Sequence, residues 1–393
     1  MTIDVAAVRA DTPGCANVAH LYNCGAGLMP RQVLDSLTAH LTLEAEIGGY
    51  EAANRCEAAV AHSYDAIATL LNCDADEIAM VENATVGWDM AFYGMSFRPG
   101  DRILTAVSEY ASNYIAFLQV AKRTGAEIVV VPNDAAGQLD VAALEKLIDA
   151  RARLIAVTHV PTNGGLVNPA AEIGRVARAA GVPFLLDACQ AAGHLALDVQ
   201  AIGCDMLSAT GRKYLRGPRG TGFLYVARHM LDKLEPPFLD LHAASWVAPD
   251  RYELRPDARR FENWESYIAG KIGLGVAVDY ALALGMDAIE ERVDILATGL
   301  RQRLDSIPGV RVQDLGARKC GIISFSIDGV DPNDVVREMA DRHINIGTTS
   351  VFSTRIDMGG RDIALMNRMG LHYYNSEDEL DRFAGLVEDL SRR

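Results

Sequence analysis

Over the first half of the chain, short apolar runs alternate with stretches whose apolar residues recur every three or four positions. The runs at 102–107, 127–131, 154–158 and 184–187 are rich in Leu, Ile and Val and stop at polar or glycine-bearing turns. Continuous apolar runs of this length are strands covered on both faces, as in parallel sheets. Between them lie predicted helices, clearest over 31–46, where Val33, Leu34, Leu37 and Leu41 keep helical spacing and Ile47 follows. Further helices are predicted over 51–72, from about 85 onward, up to 123, over 139–150 and over 170–180. Short strands are expected at 21–27 and 77–81, and an antiparallel strand at 222–226. Residues 240–262 read as irregular. A long helix over 266–284 leads to a helix at 288–306, strands at 321–327, 344–347 and 369–373, and helices at 332–342 and 377–390. The alternation predicts an α/β fold, with helices on both sides of a parallel sheet and a smaller C-terminal α+β unit. The expected division is an N-terminal segment (1–20), a large domain (21–262), a connecting helix (263–286) and a small domain (287–393).

Composition narrows the class of protein. The chain has 393 residues, half of them apolar, so it can bury a large core. Its net charge of −15 argues against nucleic acid and anionic membranes as partners. The seven cysteines form no Cys-x-x-Cys pair, which speaks against a zinc site or a disulfide framework. No metal is expected. The first residues lack the basic start and apolar core of a signal peptide, and no apolar run approaches membrane-spanning length. A soluble, cytoplasmic protein is expected.

Candidate chemistry gathers where predicted strands end. In parallel α/β sheets, ligands bind beyond the carboxyl ends of the strands, and Asn83, Tyr110, His159 with Asn163, and Asp187 all fall there. Asn83-Ala84-Thr85 forms a small polar turn between a strand and a helix, which offers backbone N–H groups and a helix dipole to an anion. Further on, Lys213 sits in a run of hydroxyls, arginines and glycines from Ser208 to Gly222. A strand-end carboxylate followed by such a lysine fits pyridoxal phosphate (PLP). That cofactor needs a carboxylate at its ring nitrogen and a lysine for its aldehyde.

These motifs resemble the class V aminotransferases, a family of fold-type I PLP enzymes. The resemblance spans about residues 20–390. Its most specific piece is Thr210-Gly-Arg-Lys-Tyr-Leu-Arg-Gly-Pro-Arg-Gly-Thr-Gly222. Glu44-Ala-Glu-Ile-Gly-Gly-Tyr50 and Arg259-Arg-Phe-Glu-Asn-Trp-Glu-Ser266 are most similar to the branch holding hercynylcysteine sulfoxide lyases and isopenicillin-N-epimerase-like proteins. The resemblance implies a large domain with a mostly parallel seven-stranded sheet. It also implies residue roles. Lys213 forms the Schiff base and moves the Cα proton, Asp187 pairs with the ring nitrogen, and Gln190 and Asn163 reach the ring hydroxyl. Tyr110 stacks on the ring, where many relatives carry His. Asn83, Ala84 and Thr85, with Thr210 and Arg212, hold the phosphate; Arg212 stands where relatives often have His. Arg368 binds the substrate carboxylate, and Gly370 replaces a common Ser. The segment Trp264-Glu265-Ser266 implies a homodimer with sites at the interface, Ser266 completing the partner's phosphate site. Loops at Gly48–Tyr50, Trp246 and Ser350–Arg355 are expected to read the substrate, which makes Tyr50 and Arg355 candidates.

Three readings stay open, two of them enzymes acting on a small amino acid. A lyase breaking a Cβ or Cγ bond, C–S foremost, is favoured by the Glu44–Tyr50 stretch. A true aminotransferase or an epimerase would use the same residues. A non-enzymatic protein fits poorly with an intact Asp187 and Lys213. A persulfide-forming cysteine desulfurase ranks lower, because the loop at 346–357 lacks a cysteine, unless Cys24, Cys189 or Cys320 approaches from elsewhere.

Overall fold

The computed structural model describes residues 3–393, so the expected N-terminal segment is described from its third residue. Seven strands form the central sheet: β1 (Ile78–Val81), β2 (Arg102–Ala106), β3 (Glu127–Val131), β4 (Ala152–Thr158), β5 (Phe184–Asp187), β6 (Met206–Thr210) and β7 (Gly222–Val226). They lie in the order β1-β7-β6-β5-β4-β2-β3, and only β7 runs against its neighbours. The apolar runs behave as their composition requires: Leu154 to Val157 and Phe184 to Leu186 are almost wholly buried, with helices on both faces. Each such side chain stabilises the fold by roughly 1.5–3 kcal/mol. Register matters most for function. Thr158 pairs with Asp187, and Asp187 with Ser208, so the carboxyl ends of β4, β5 and β6 stand side by side.

The C-terminal unit is a four-stranded antiparallel sheet, with strands β10 (Val310–Val312), β11 (Ile322–Ile327), β12 (Gly347–Ser350) and β13 (Leu365–Gly370) in the order β10-β11-β13-β12. Leu296, Leu300, Phe325 and Phe383 lie in its core, supplied partly by helices Met286–Asp305 and Glu377–Ser391. The beginning of the chain is stitched into this unit. Ala19–His20 pairs in parallel with Ile344–Asn345, and Leu21 is buried in the same core.

Several predicted elements need correction. The helix expected over 51–72 is two helices, Gly49–Arg55 and Glu57–Leu71, broken at Cys56, whose backbone leaves the helical region. Residues 240–262 contain a hairpin, β8 (Ala244–Ala248) and β9 (Arg251–Leu254), around Pro249-Asp250. Its β-formers Trp246, Val247 and Tyr252 are exposed, so no alternation of buried and exposed positions marked it. No strand spans 21–27; Tyr22 makes a single bridge to Gly370. The last strand covers 365–370 rather than 369–373, because Asn367 and Arg368 are buried within it. The Asn367 amide nitrogen donates to Pro332 O and Arg368 to Thr162, so these donors do find partners inside the strand.

Candidate active site

The aligned strand ends open onto a cavity of about 180 Å³, lined by Asn83, Ala84, Thr85, Tyr110, Thr158, Val160, Thr162, Asp187, Cys189, Gln190, Thr210, Arg212 and Lys213. A much larger groove of about 810 Å³ lies elsewhere, along the helix Met286–Asp305. Its two arginines are already paired, Arg301 with Asp314 and Arg318 with Glu290, and the carboxylates left over lie on an open helix face. The convergent chemistry belongs to the smaller cavity.

Each wall has a local cause. Helix Ala84–Tyr93 begins at the end of β1, with the Asn83 side chain accepting from Val86 N at 3.0 Å. The Asn83 side chain is thus an ordinary cap, and the N–H groups at the start of the helix face an anion site with the dipole behind them. Asp187 ends β5. Its Oδ1 accepts from Cys189 N at 2.9 Å and its Oδ2 from the Asn113 amide at 2.9 Å. Burial pushes its pKa up, while the Asn113 and Cys189 donors and Lys213 hold it down. Lys213 follows β6, and its Nζ lies 3.3 Å from Cys189 Sγ. The loop bearing Lys213 is braced by the one at Gly25–Gly27: Gly27 N donates to Arg212 O at 2.9 Å, and Arg212 donates to Gly25 O. A Cβ on Gly27 would stand 2.5 Å from Lys213 O, so only glycine permits this approach.

These residues fit the cofactor that the resemblance implies. Asp187 faces the cavity as a buried carboxylate, and the lysine stands beside it. Buried Gln190 Oε1 has no partner, while its Nε2 donates to Cys24 O at 3.1 Å. An unpaired buried oxygen in a lined cavity is costly unless a ligand meets it. The first-turn N–H groups at Ala84 and Thr85, with Thr210 and Arg212, would form the anion-binding end.

Arg368 lies next to this cavity rather than in its lining. Its Nη1 donates to Thr162 O and Oγ1 at 2.5 and 2.6 Å, and its Nη2 to the Tyr22 hydroxyl at 2.8 Å. Its Nε has no partner although buried. That leaves Nε–H and one Nη2 proton, the donor set of a bidentate carboxylate pair. Gly370 follows from the same packing: a Cβ there would lie 2.7 Å from both Cys24 N and Tyr214 Oη.

Other candidates fall outside. Asn163 does not line the cavity; its amide is held by Asp357 Oδ2, an interaction that ties the 351–357 loop to the site's rim. Tyr50 is 75 % exposed on the helix Gly49–Arg55, because Gly49 starts a helix where a loop was expected. Arg355 is exposed at the start of helix Arg355–Gly360 and is not in the lining. Ser266 lines a separate small cavity with Gly220, Thr221 and Gly222. Of the three thiols considered, Cys24 and Cys320 are buried in the packing, and only Cys189 lines the site. Glu109 and Asn113 stand behind Asp187, joined to it by the Asn113 amide, and sequence reasoning passed them over. Their spacing of four on the helix start beside Tyr110 was the available signal.

Comparison with known proteins points to the same family and cofactor. The family model described as aminotransferase class V matches residues 19–383. A cysteine desulfurase of Dickeya dadantii is 32% identical over 402 residues, covering 98% of this chain and 96% of the relative. The apo structure of a cysteine desulfurase from Thermococcus onnurineus matches with a TM-score of 0.92 and 27% identity, covering 100% of this chain and 99% of that one. The cystine C–S lyase C-DES, in complex with its product cysteine persulfide, matches with a TM-score of 0.87 and 25% identity over 96% of this chain and 99% of its own. Another structure of C-DES carries glycine covalently linked to its PLP cofactor.

Proposed function

This chain belongs to the class V aminotransferase family, and from that premise we propose that it is a lyase breaking a carbon–sulfur bond in a small sulfur-containing amino acid. It is a PLP-dependent enzyme. Bound PLP supplies an electron sink that lets an amino acid lose its Cα proton. The chain's own residues do the rest. Lys213 Nζ, half-buried beside Asp187, takes and returns that proton as general acid and base. Asp187, fixed by Asn113 and Cys189 N, would pair with the ring nitrogen. Arg368 would offer its free Nε–H and Nη2–H to the substrate carboxylate and so would fix the orientation of the amino acid next to the lysine. Tyr110 and Val160 close the walls of the site and limit water.

The observation that carries the lyase reading is the loop at the site's rim. It is held by Asn163 with Asp357, and by Ala111 N donating to Ser353 O at 2.9 Å. It carries no thiol to receive sulfur from substrate, so a released thiol or persulfide is the expected sulfur product. A relative named cystine C–S lyase with persulfide as product supports the same chemistry. A second reading rests on Cys189. Relatives named cysteine desulfurase support that activity more than the missing loop cysteine suggested, and Cys189 is the one thiol in the cavity. It would then accept sulfur from cysteine: the substrate Cβ–S bond breaks, an S–S bond forms at Cys189, and alanine leaves.

The test is to incubate purified enzyme with cysteine, cystine and cysteine S-conjugates and to identify the products. Pyruvate, ammonia and a thiol or persulfide in solution are expected. Alanine with protein-bound sulfur, lost in Cys189→Ser, would establish the second reading. A keto acid retaining its sulfur, with the cofactor left in its amine form, would overturn both.

The homodimer is proposed on separate grounds. Trp246, Trp264, Leu241 and Phe238 are more than half exposed, and exposed aromatics clustered in neighbouring segments are typical of protein contacts. The small cavity with Ser266 lies in the same region of the chain.

A further inference from the structure

Asp187 is not the only carboxylate buried behind the cavity. Glu109 is 4% exposed and collects five donors. Its Oε1 accepts from Tyr110 N at 3.0 Å, the Asn113 amide at 2.8 Å and the Thr158 hydroxyl at 2.5 Å. Its Oε2 accepts from the Thr105 hydroxyl and Thr158 N, both at 3.0 Å. No cation is among these partners. A buried carboxylate in an all-donor, uncharged shell is a retained negative charge, and such a charge is expensive unless something uses it.

The link to the site runs through Asn113. Its amide nitrogen donates at 2.8 Å to Glu109 and at 2.9 Å to Asp187. Both amide protons are therefore committed to carboxylates, which fixes the amide's orientation. Asp187 is pinned at Oδ2 by this amide and at Oδ1 by Cys189 N. Its remaining lone pairs are thus set by the network. The charged groups around Asp187 are Glu109 behind it and Lys213 in front.

We propose that Glu109 is a positioning residue for the cofactor's ring nitrogen: through Asn113 it locks Asp187 in place, and its charge adds to the negative potential that keeps that nitrogen protonated. Neighbours behind a first contact commonly set its orientation and basicity in this way. Burial, with repulsion from Asp187, lifts the Glu109 pKa to about 6 against its Thr158 and Asn113 hydrogen bonds. It is therefore ionised at neutral pH. Gln at this position would lose the charge and would turn an amide toward donors that need an acceptor. The inference holds whichever bond the enzyme breaks, because its test reads cofactor binding alone.

The experiment compares binding of PLP and of its 1-deaza analogue, in which CH replaces the ring nitrogen, to apo-enzyme by equilibrium dialysis. Wild type is expected to prefer PLP. In Glu109→Gln that preference should fall about tenfold, the equivalent of one pKa unit at the ring nitrogen, while analogue affinity changes little. Asn113→Ala should reduce the preference as well and carries the same test if Glu109→Gln does not fold. Glu109→Asp, which keeps the charge, should recover part of it. Equal weakening of both ligands in Glu109→Gln and Asn113→Ala, or an unchanged preference, would overturn the proposal.

Discussion

At the scale of single residues, Lys213 and Asp187 were legible because their chemistry has few substitutes and their positions follow strands. What was not legible is how neighbours share out hydrogen bonds. Asn163 reads as a cofactor contact, yet its amide is occupied by Asp357, a residue nearly two hundred positions away that no local pattern connects to it. Glu109, passed over in the sequence, is buried among donors. Replacing Lys213 by Ala should abolish the visible absorbance of bound cofactor while leaving the fold intact, since Nζ makes only the Cys189 contact; a retained band would contradict its role. Arg368→Ala should weaken substrate binding by at least about tenfold, the order expected for losing a charge-assisted bidentate pair. Cofactor affinity should stay near wild type, and an unchanged substrate affinity would refute the assignment.

At the scale of elements, the parallel strands were readable from composition because burial on both faces leaves no choice of residue. The hairpin at 244–254 and the strand at 365–370 were not, since one exposes its apolar side chains and the other buries polar ones. The helix Ala84–Tyr93 offers a cleaner test of its proposed work. Ala84 is its first residue, and Asn83 before it is extended (φ −172°, ψ 168°), a conformation that tolerates a following proline. Ala84→Pro removes one N–H from the anion site without breaking the helix. Phosphate-bearing cofactor should bind several-fold more weakly, by roughly 0.5–1 kcal/mol, with thermal stability almost unchanged. Equal affinity would mean that this N–H does not serve the phosphate.

For the molecule as a whole, titration of buried groups sets a pH dependence. Burial lowers the pKa of His159 to about 4, that of His194 to about 3, and that of His372 well below its usual value. These imidazoles stay neutral in the fold but take up protons when unfolded, so stability should fall as pH drops below about 6.5. Glu109 has the opposite sign: its raised pKa favours the fold below about 4.5, and that contribution is lost by about pH 6. Half-buried His20 and the buried Glu262 carboxylate, which its donors hold low, act in the same direction as those histidines, whereas Asp89 and Asp187, raised by burial, act with Glu109. The balance predicts a net loss on acidification, readable by denaturant titration at several pH values; constant stability from pH 7 to 4 would contradict it. The proposed homodimer predicts twice the monomer mass by light scattering, reduced when Trp246 and Trp264 are both changed to Asp. The central claim is carbon–sulfur cleavage with release of the sulfur. Its most direct test is a single turnover of sulfur-labelled cystine with stoichiometric enzyme, followed by separation of protein from solution. Label is expected in solution as a thiol or persulfide, alongside pyruvate and ammonia. Label left in an intact keto acid, with the cofactor converted to its amine form, would contradict it.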